Sequence, residues 1–459
     1  MHNKRNVIGI CTAELDQKWH AKLMETLTRE FIRRGYYTMI FSCDVDCYLN
    51  RDTDMGAASI FTLPNLDNVD AMVVFCETIR NKKVRDELIG RLKEADVHVI
   101  LVDEESEGCY SVLYDQNTAF EKLVRHVIEY HNLKEVNFLS GPEGNSVAEE
   151  RLAIYKKVLE ENDIPIDEER IGYGDFWELP ARKAMEEFMA EDKVPPEAII
   201  CANDTMAVTA CDYLRSKGYK VPEDIIVTGL DGIEEGIYHN PGITTCVRDE
   251  VNDAKRMADI VQNLLDGKTV PYVTEIPYHI RLSGSCGCQM DNLFDFDRVI
   301  QSMKLSYAYM RSQIRECKDM AEEILQCRTQ EEFEEIIESY MKEDSFLCLN
   351  ENFSIEEKEP KSVYEDGVFT SEMKAFVRLN GKTFEDDCFS INVVPESGKD
   401  TDPGKAVLIY PLHFEKEVVG YIGFWRDPSE LAEAESLLQY ICNLNLSLSY
   451  RLAAAPEAE

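Results

Sequence analysis

The sequence predicts an α/β protein whose larger part rests on parallel sheets, followed by a long helix and a small α+β domain. Three observations carry that expectation. Between residues 6 and about 285, short unbroken apolar runs alternate with amphipathic stretches of helix length. From Leu293 a narrow apolar stripe recurs at alternating spacings of three and four residues. Beyond 330 the pattern changes to a helix, isolated strands and a tight charged turn.

Each element has its own signal. "NVIGIC" (6–11) reads as a buried strand, and 19–34 as an amphipathic helix that Gly35 closes. "YTMIF" (37–41) and "AMVVF" (71–75) are strands, with a helix over 83–94. "HVILV" (98–102) ends at Asp103, and 116–131 is helical. "VNFLS" (136–140) ends at Gly141-Pro142 and is followed by a helix over 147–161. "RIGYG" (170–174) leads into a helix over 179–190. The run Ala198 to Cys201 stops at Asn203-Asp204, a helix and a Gly-Tyr-Lys-Val-Pro turn follow, and a second run stops at Asp231-Gly232. Unbroken apolar strands spaced by helices are buried on both faces, as in parallel sheets. Ligands of such sheets sit outside the carboxyl ends of the strands, where these carboxylates fall.

The stripe runs from Leu293 through Ile300, Tyr307 and Ile314, with Phe296, Met303, Met310 and Cys317 between them, to Ala321 and Ile324. So narrow a seam suits a parallel two-helix dimer, packing on its own domain being the alternative. In the remainder, "TQEEFEEIIESYM" is a helix, "FLCLN" (346–350) a strand, and "KAVLIYPLHFEKEVVGYIGFW" (405–425) two strands joined by a charged turn. Residues 351–404 read as acidic loops with one or two strands, and a closing helix starts near 428. The expected division is therefore 1–288, a helical linker over 289–328, and a domain over 329–459.

Composition excludes several classes. The 459 residues carry a net charge of −38, which repels phosphate backbones, so direct DNA binding by this chain is not expected. The first apolar run is too short for a signal-peptide core, and no stretch approaches the roughly 20 residues that span a bilayer. Fifteen cysteines without a secretion signal point to reduced thiols and a cytoplasmic location away from membranes. There is no P-loop, GxSxG elbow, HExxH, GGDEF or GxGxxG, so neither an enzyme nor a cofactor is expected. Cys286-Gly287-Cys288 resembles half of a metal site, but the closest other cysteine pair, Cys43 and Cys47, has no histidines beside it. No metal is expected, and His413 reads as structural.

The stretches "ANDTMAVTACDYLRSKGYKVPEDIIVTGLDG", "TTCVRD" (244–249), "SGPEGNSVAEERLAIYKKVLEENDI" (140–164) and "RLSGSCGC" (281–288) resemble the effector-binding core of lac/galactose-repressor family regulators. That core is similar to periplasmic sugar-binding proteins. The resemblance covers roughly 6–288 and implies a two-lobed periplasmic-binding-protein-like clamshell with a ligand cleft between its lobes. Members open with a helix-turn-helix and hinge helix, whereas here the first core strand starts at Asn6. The C-terminal part resembles the GAF-like modules of bacterial sensors.

Carried over by motif position, the resemblance implies ligand contacts from Gln17, Trp19 and His20, then Asp103 with Glu104 beside it. Ser146, Arg151, Phe176, Trp177, Asn203, Asp231 and Arg248 complete the set. Aromatic rings stack on sugar-ring faces while Asp, Asn and Arg exchange hydrogen bonds with hydroxyls. Asp204 is expected to cap the following helix, leaving Asn203 for the ligand. Each residue also has a plain alternative: Trp19 as core packing, Arg151 as a surface ion pair, Asp231 as an ordinary turn residue. Glu104 stands where sugar-binding relatives often carry arginine, and Asn145 where a purine-type pocket favours arginine; both argue against an anionic effector.

The resulting expectation is a homodimeric cytoplasmic sensor that binds a small polar, sugar-like metabolite and relays closure through the seam helix. Two alternatives stand beside it. One is the sensor half of a longer diguanylate cyclase, kinase or AraC-type regulator. The other is a solute-binding transport protein, which predicts a leader or lipid anchor and no coiled-coil extension.

Overall fold

The structure is a computed structural model. It describes residues 5–445 apart from 16–17, 44, 46, 49–50, 64–65, 96, 290–295, 342–343, 352, 354–368, 371, 390–392, 395–402 and 434–443. The chain forms two compact units: residues 1–113, 250–274 and 300–459, and residues 114–249 and 275–299.

Unit 1 begins with β1 (Val7–Ala13), α1 (Lys18–Arg33), β2 (Tyr37–Cys43), α2 (Asp52–Ala58), β3 (Ala71–Phe75), α3 (Lys82–Glu94), β4 (His98–Val102) and β5 (Tyr110–Asp115). β1 pairs in parallel with both β2 and β3, and β3–β4–β5 continue the parallel ladder. Every residue of β3 is buried, so its sequence is a continuous apolar run rather than an alternating one. Leu23, Met24, Leu27 and Phe31 of α1 are fully buried on one face.

The chain then builds unit 2 from α4 (Asn117–Arg125), β6 (Val136–Ser140), α5 (Ser146–Glu161), β7 (Ile171–Tyr173), α6 (Glu178–Phe188), β8 (Ala198–Cys201), α7 (Asp204–Ser216), β9 (Ile226–Leu230), α8 (Glu234–Tyr238) and β10 (Thr244–Val247). The single helix expected over 116–131 divides: α4 ends at Arg125 and a π turn follows over His126–Tyr130. α9 (Glu250–Leu265) returns to unit 1, where it packs on α1 and Asp259 accepts from Arg34 at 2.6 Å. β11 (Val273–Pro277) and β12 (His279–Arg281) close this part. The unit 2 sheet runs β12-β10-β9-β8-β6-β7, parallel except where β12 pairs antiparallel with β10. Strand order reverses around β1 in one sheet and around β6 in the other, the switch points where open α/β sheets bind ligands.

The remaining elements are α10 (Phe296–Gln326), α11 (Gln330–Tyr340), β13 (Ser345–Asn350), β14 (Glu372–Leu379), β15 (Lys382–Phe389), β16 (Ala406–Phe414) and β17 (Glu417–Arg426). Their order, β16-β17-β13-β14-β15, is antiparallel throughout. β16 also pairs in parallel with β2, through Val407 on Met39, Leu408 on Ile40 and Ile409 on Phe41. The two sheets thus become one of eleven strands, and Phe41, Val407 and Trp425 share one core. The expected boundary at 329 falls between α10 and α11, and the β2–β16 pairing covers an apolar strand edge. The closing helix expected from 428 starts as a 3₁₀ turn over Pro428–Glu433 and then lies largely outside the described residues.

Along α10, Ile300, Tyr307 and Ile314 are 46%, 62% and 51% exposed, whereas Met320 and Ile324 are fully buried. Leu293, and the side chains of Phe296, Met303, Met310 and Cys317, lie outside the described residues. Among the described residues no helix is long and apolar enough to cross a membrane.

Candidate functional site

The carboxyl ends of the parallel strands concentrate backbone that side chains ordinarily avoid. Glu14 after β1, Asp103 after β4, Asp175 and Phe176 after β7, and Asp231 after β9 all have positive φ, at 52°, 58°, 50°, 65° and 121°. Such conformations persist only where surrounding structure enforces them, and they gather at binding sites.

In unit 2, α5 starts at a cap made by Asn145, whose side chain accepts from Ala148 N. Asn145 therefore does a structural job. The cap aims Arg151, one and a half turns on, at the strand ends. Arg151 is only 6% exposed and donates to Ala202 O at 2.6 Å and to Gln116 Oε1 at 2.5 Å. Its guanidinium lies 5.8 Å from the Phe176 ring centre. Burial lowers its pKa, and the charge of Asp231 opposes that shift. The surface-ion-pair alternative for Arg151 does not hold: it is a buried cation held by neutral acceptors. Phe176 is positioned by its strained turn and lies over Gly141, where a Cβ would come within 2.2 Å of the ring.

The two residues that follow β8 depart from the expected roles. Asn203 is the cap of α7: its Oδ1 accepts from Met206 N at 3.0 Å and its Nδ2 donates to Phe176 O at 3.2 Å. Asp204 lies inside the first turn, fully buried, and its Oδ2 accepts from Gly232 N at 2.7 Å and Ile233 N at 3.1 Å. It therefore holds the loop that presents Asp231. The physical reason is position: the cap must precede the first helical residue with extended backbone, and Asn203 has φ −148° and ψ 173°. Burial pushes the Asp204 carboxyl up to about 6, against the nearby Thr245 hydroxyl and the hydrogen bonds of the two amides. Asp231 is also pushed upward, first by desolvation and then by Asp204, with Arg151 and Arg248 opposing. Its side chain is nevertheless open to solvent, which limits that push.

Arg248, just beyond β10, sits 4.0 Å over the Tyr114 ring and donates from Nε to Tyr278 Oη at 2.6 Å. Tyr114 and Tyr278 meet edge to face at 5.9 Å. Ser146 and Trp177 are exposed, Trp177 at 72%, at the starts of α5 and α6.

In unit 1, His20 is fully buried, which the sequence did not foresee. Its Nε2 lies 2.5 Å from Thr12 Oγ1; Thr78 Oγ1 is 3.1 Å from the same hydroxyl and accepts from Ala13 N. This network fixes the end of β1. Asp103 is exposed at its strained position, its amide donating to Val112 O at 2.9 Å. Glu104 accepts from Arg85 at 2.7 Å. Gln17 and the side chain of Trp19 lie outside the described residues.

Residues 124–286 match the family described as a periplasmic binding protein-like domain. The chain is similar to that domain over about a third of its length. Among curated proteins it is 24% identical over 270 residues to the HTH-type transcriptional repressor PurR of Aliivibrio salmonicida (strain LFI1238), covering 58% of this chain and 77% of that one. It is 27% identical over 245 residues to the PurR repressor of Vibrio atlanticus (strain LGP32), covering 53% and 70%. Among solved structures, a regulatory protein of LacI family from Chloroflexus aggregans superposes with a TM-score of 0.50 at 18% identity, covering 61% of this chain and 98% of that one. That last likeness concerns the fold.

Unit 2 brings together Arg151, Phe176, Asn203, Asp231 and the Arg248 clamp at one set of strand ends. Sequence reasoning missed Gln116, Tyr114 and Tyr278. The two tyrosines flank the crossings between units in sequence, and no local pattern marks them as partners of Arg248.

Proposed function

We propose that this chain is a ligand-responsive regulator that takes a small polar, sugar-like metabolite at the carboxyl strand ends of unit 2. The observation that carries the reading is Arg151. Burying a guanidinium against neutral acceptors is costly, and an arrangement of that kind suits a hydroxyl-rich ligand that supplies further acceptors. Phe176 offers an apolar face beside it, while Asp231 and Arg248 offer an acceptor and a donor. The chain's similarity to transcriptional repressors supports a regulatory rather than an enzymatic role.

Relay would run through α10. Its exposed residues Ile300, Tyr307 and Ile314 recur every seven positions, which supports pairing with a second copy. The antiparallel C-terminal sheet supports a GAF-like sensor module. A calorimetric screen of sugars, polyols and nucleosides tests the site. Arg151→Ala and Asp231→Ala each remove one charged hydrogen-bond partner, about 1.5–3 kcal/mol, so affinity falls roughly tenfold to a hundredfold. Unchanged binding by both variants would refute the assignment.

A further inference from the structure

Four ligand-type side chains of unit 2 converge away from the strand ends. They are His126, His131, Cys286 and Cys288, and their ligand atoms all lie within 4.8 Å of one another. Cys288 Sγ is 3.4 Å from His126 Nε2 and 3.3 Å from His131 Nε2. We propose that these residues form a structural zinc site of the Cys₂His₂ type.

The geometry fits that ion. A tetrahedron with Zn–S near 2.3 Å and Zn–N near 2.0–2.1 Å places its ligand atoms about 3.3–3.8 Å apart; Cys288 meets that separation to both imidazoles, and the full set lies within 4.8 Å, a small inward shift from it. Two sulfurs and two imidazoles in tetrahedral array select zinc over the hard, oxygen-preferring cations. All four positions are filled by protein, so the site is closed and structural rather than catalytic.

Local backbone explains how the set assembles. Residues five apart on an α-helix point about 140° away from each other. Between His126 and His131 the helix widens instead into the π turn, closed by His131 N donating to His126 O at 3.2 Å. π turns are rare and recur at functional sites. Here the turn brings the two imidazoles to 4.9 Å, nearly perpendicular at 86°, with both Nε2 atoms toward one sulfur. On the other side, Gly287 takes a left-handed φ of 76° between the two cysteines and closes a tight turn on Gly284. The partners that the Cys286–Cys288 pair needed come not from Cys43 and Cys47 but from a segment about 160 residues earlier. Zinc would clamp the end of α4 to the segment that follows β12, just before the chain leads into α10.

The test is metal analysis of the full chain purified without chelators. One zinc per chain is expected, lost in Cys286→Ser and His131→Ala and retained in Cys47→Ser. Because a variant can fail to fold, the wild-type chain is also stripped and refilled with cobalt. Intense visible bands with thiolate-to-cobalt charge transfer are expected, together with protection of Cys286 and Cys288 from alkylation that a chelator removes. The proposal is overturned by metal-free protein that takes up no stoichiometric zinc or cobalt, by an octahedral cobalt spectrum, or by a Cys286–Cys288 disulfide in the purified chain.

Discussion

Replacing Asp204 by Asn should make unit 2 more stable at neutral pH, even though it removes a carboxylate that accepts two amides. The carboxyl is fully buried, and burial outweighs its hydrogen bonds, lifting its pKa from 3.8 to about 6. That difference of about 2 corresponds to about 3 kcal/mol between its two protonation states. Folding raises this pKa, so the stabilising contribution is complete below about 3.8, declines as pH rises, and is lost above about 6. Asparagine resembles the neutral acid: its carbonyl can accept from Gly232 and Ile233, and its amide can donate to the Thr245 hydroxyl. The variant should therefore gain up to about 3 kcal/mol above pH 7 and roughly half of that at pH 5. In melting temperature the gain at pH 7 is about 6–12 °C for a unit of this size. Denaturant and thermal unfolding of both proteins between pH 5 and 7.5 measure it. A variant less stable than the parent at pH 7, with a gap that does not change with pH, would refute the reasoning. In that case the ionised carboxylate itself holds the Asp231 loop.

Arg151→Met removes two charge-assisted hydrogen bonds, about 3–6 kcal/mol gross, and relieves a desolvation cost of similar size. Urea unfolding should therefore change by about 2 kcal/mol or less while ligand affinity falls; a loss of 3–5 kcal/mol would mark the arginine as structural. Gly229→Ala would place a Cβ 2.2 Å from Asp204 Oδ1 and 3.1 Å from the α7 backbone. It should cost about 1–3 kcal/mol in the same assay, and a neutral result would mean that α7 is not held tightly against β9. Ile300→Glu with Ile314→Glu should turn a dimer into a monomer by light scattering while ligand binding persists. An unchanged dimer of unchanged stability would assign the stripe to its own chain.

Much of the architecture follows from local chemistry. β3 and β8 are apolar at every position because both faces are covered, and that run is visible without any partner. Helices such as α1 show their buried face in spacing, and Asn145 and Asn203 stand where caps are needed. The strand-end positions of Asp103, Asn203 and Asp231 were equally legible, since a strand must stop somewhere and these residues mark the stop. What local chemistry did not decide was which groups meet. Whether Asn203 or Asp204 caps α7 depends on one residue of helix phase. His20 met Thr12 and Thr78 because three separate elements converge on the end of β1. Arg248 found Tyr114 and Tyr278, and Cys288 found His126 and His131, across separations that no periodicity encodes. The pairing of β16 with β2 is of the same kind. A strand's hydrogen-bonding edges are the same backbone groups in every sequence, so its side chains announce burial but leave its neighbour to be chosen by the folded chain.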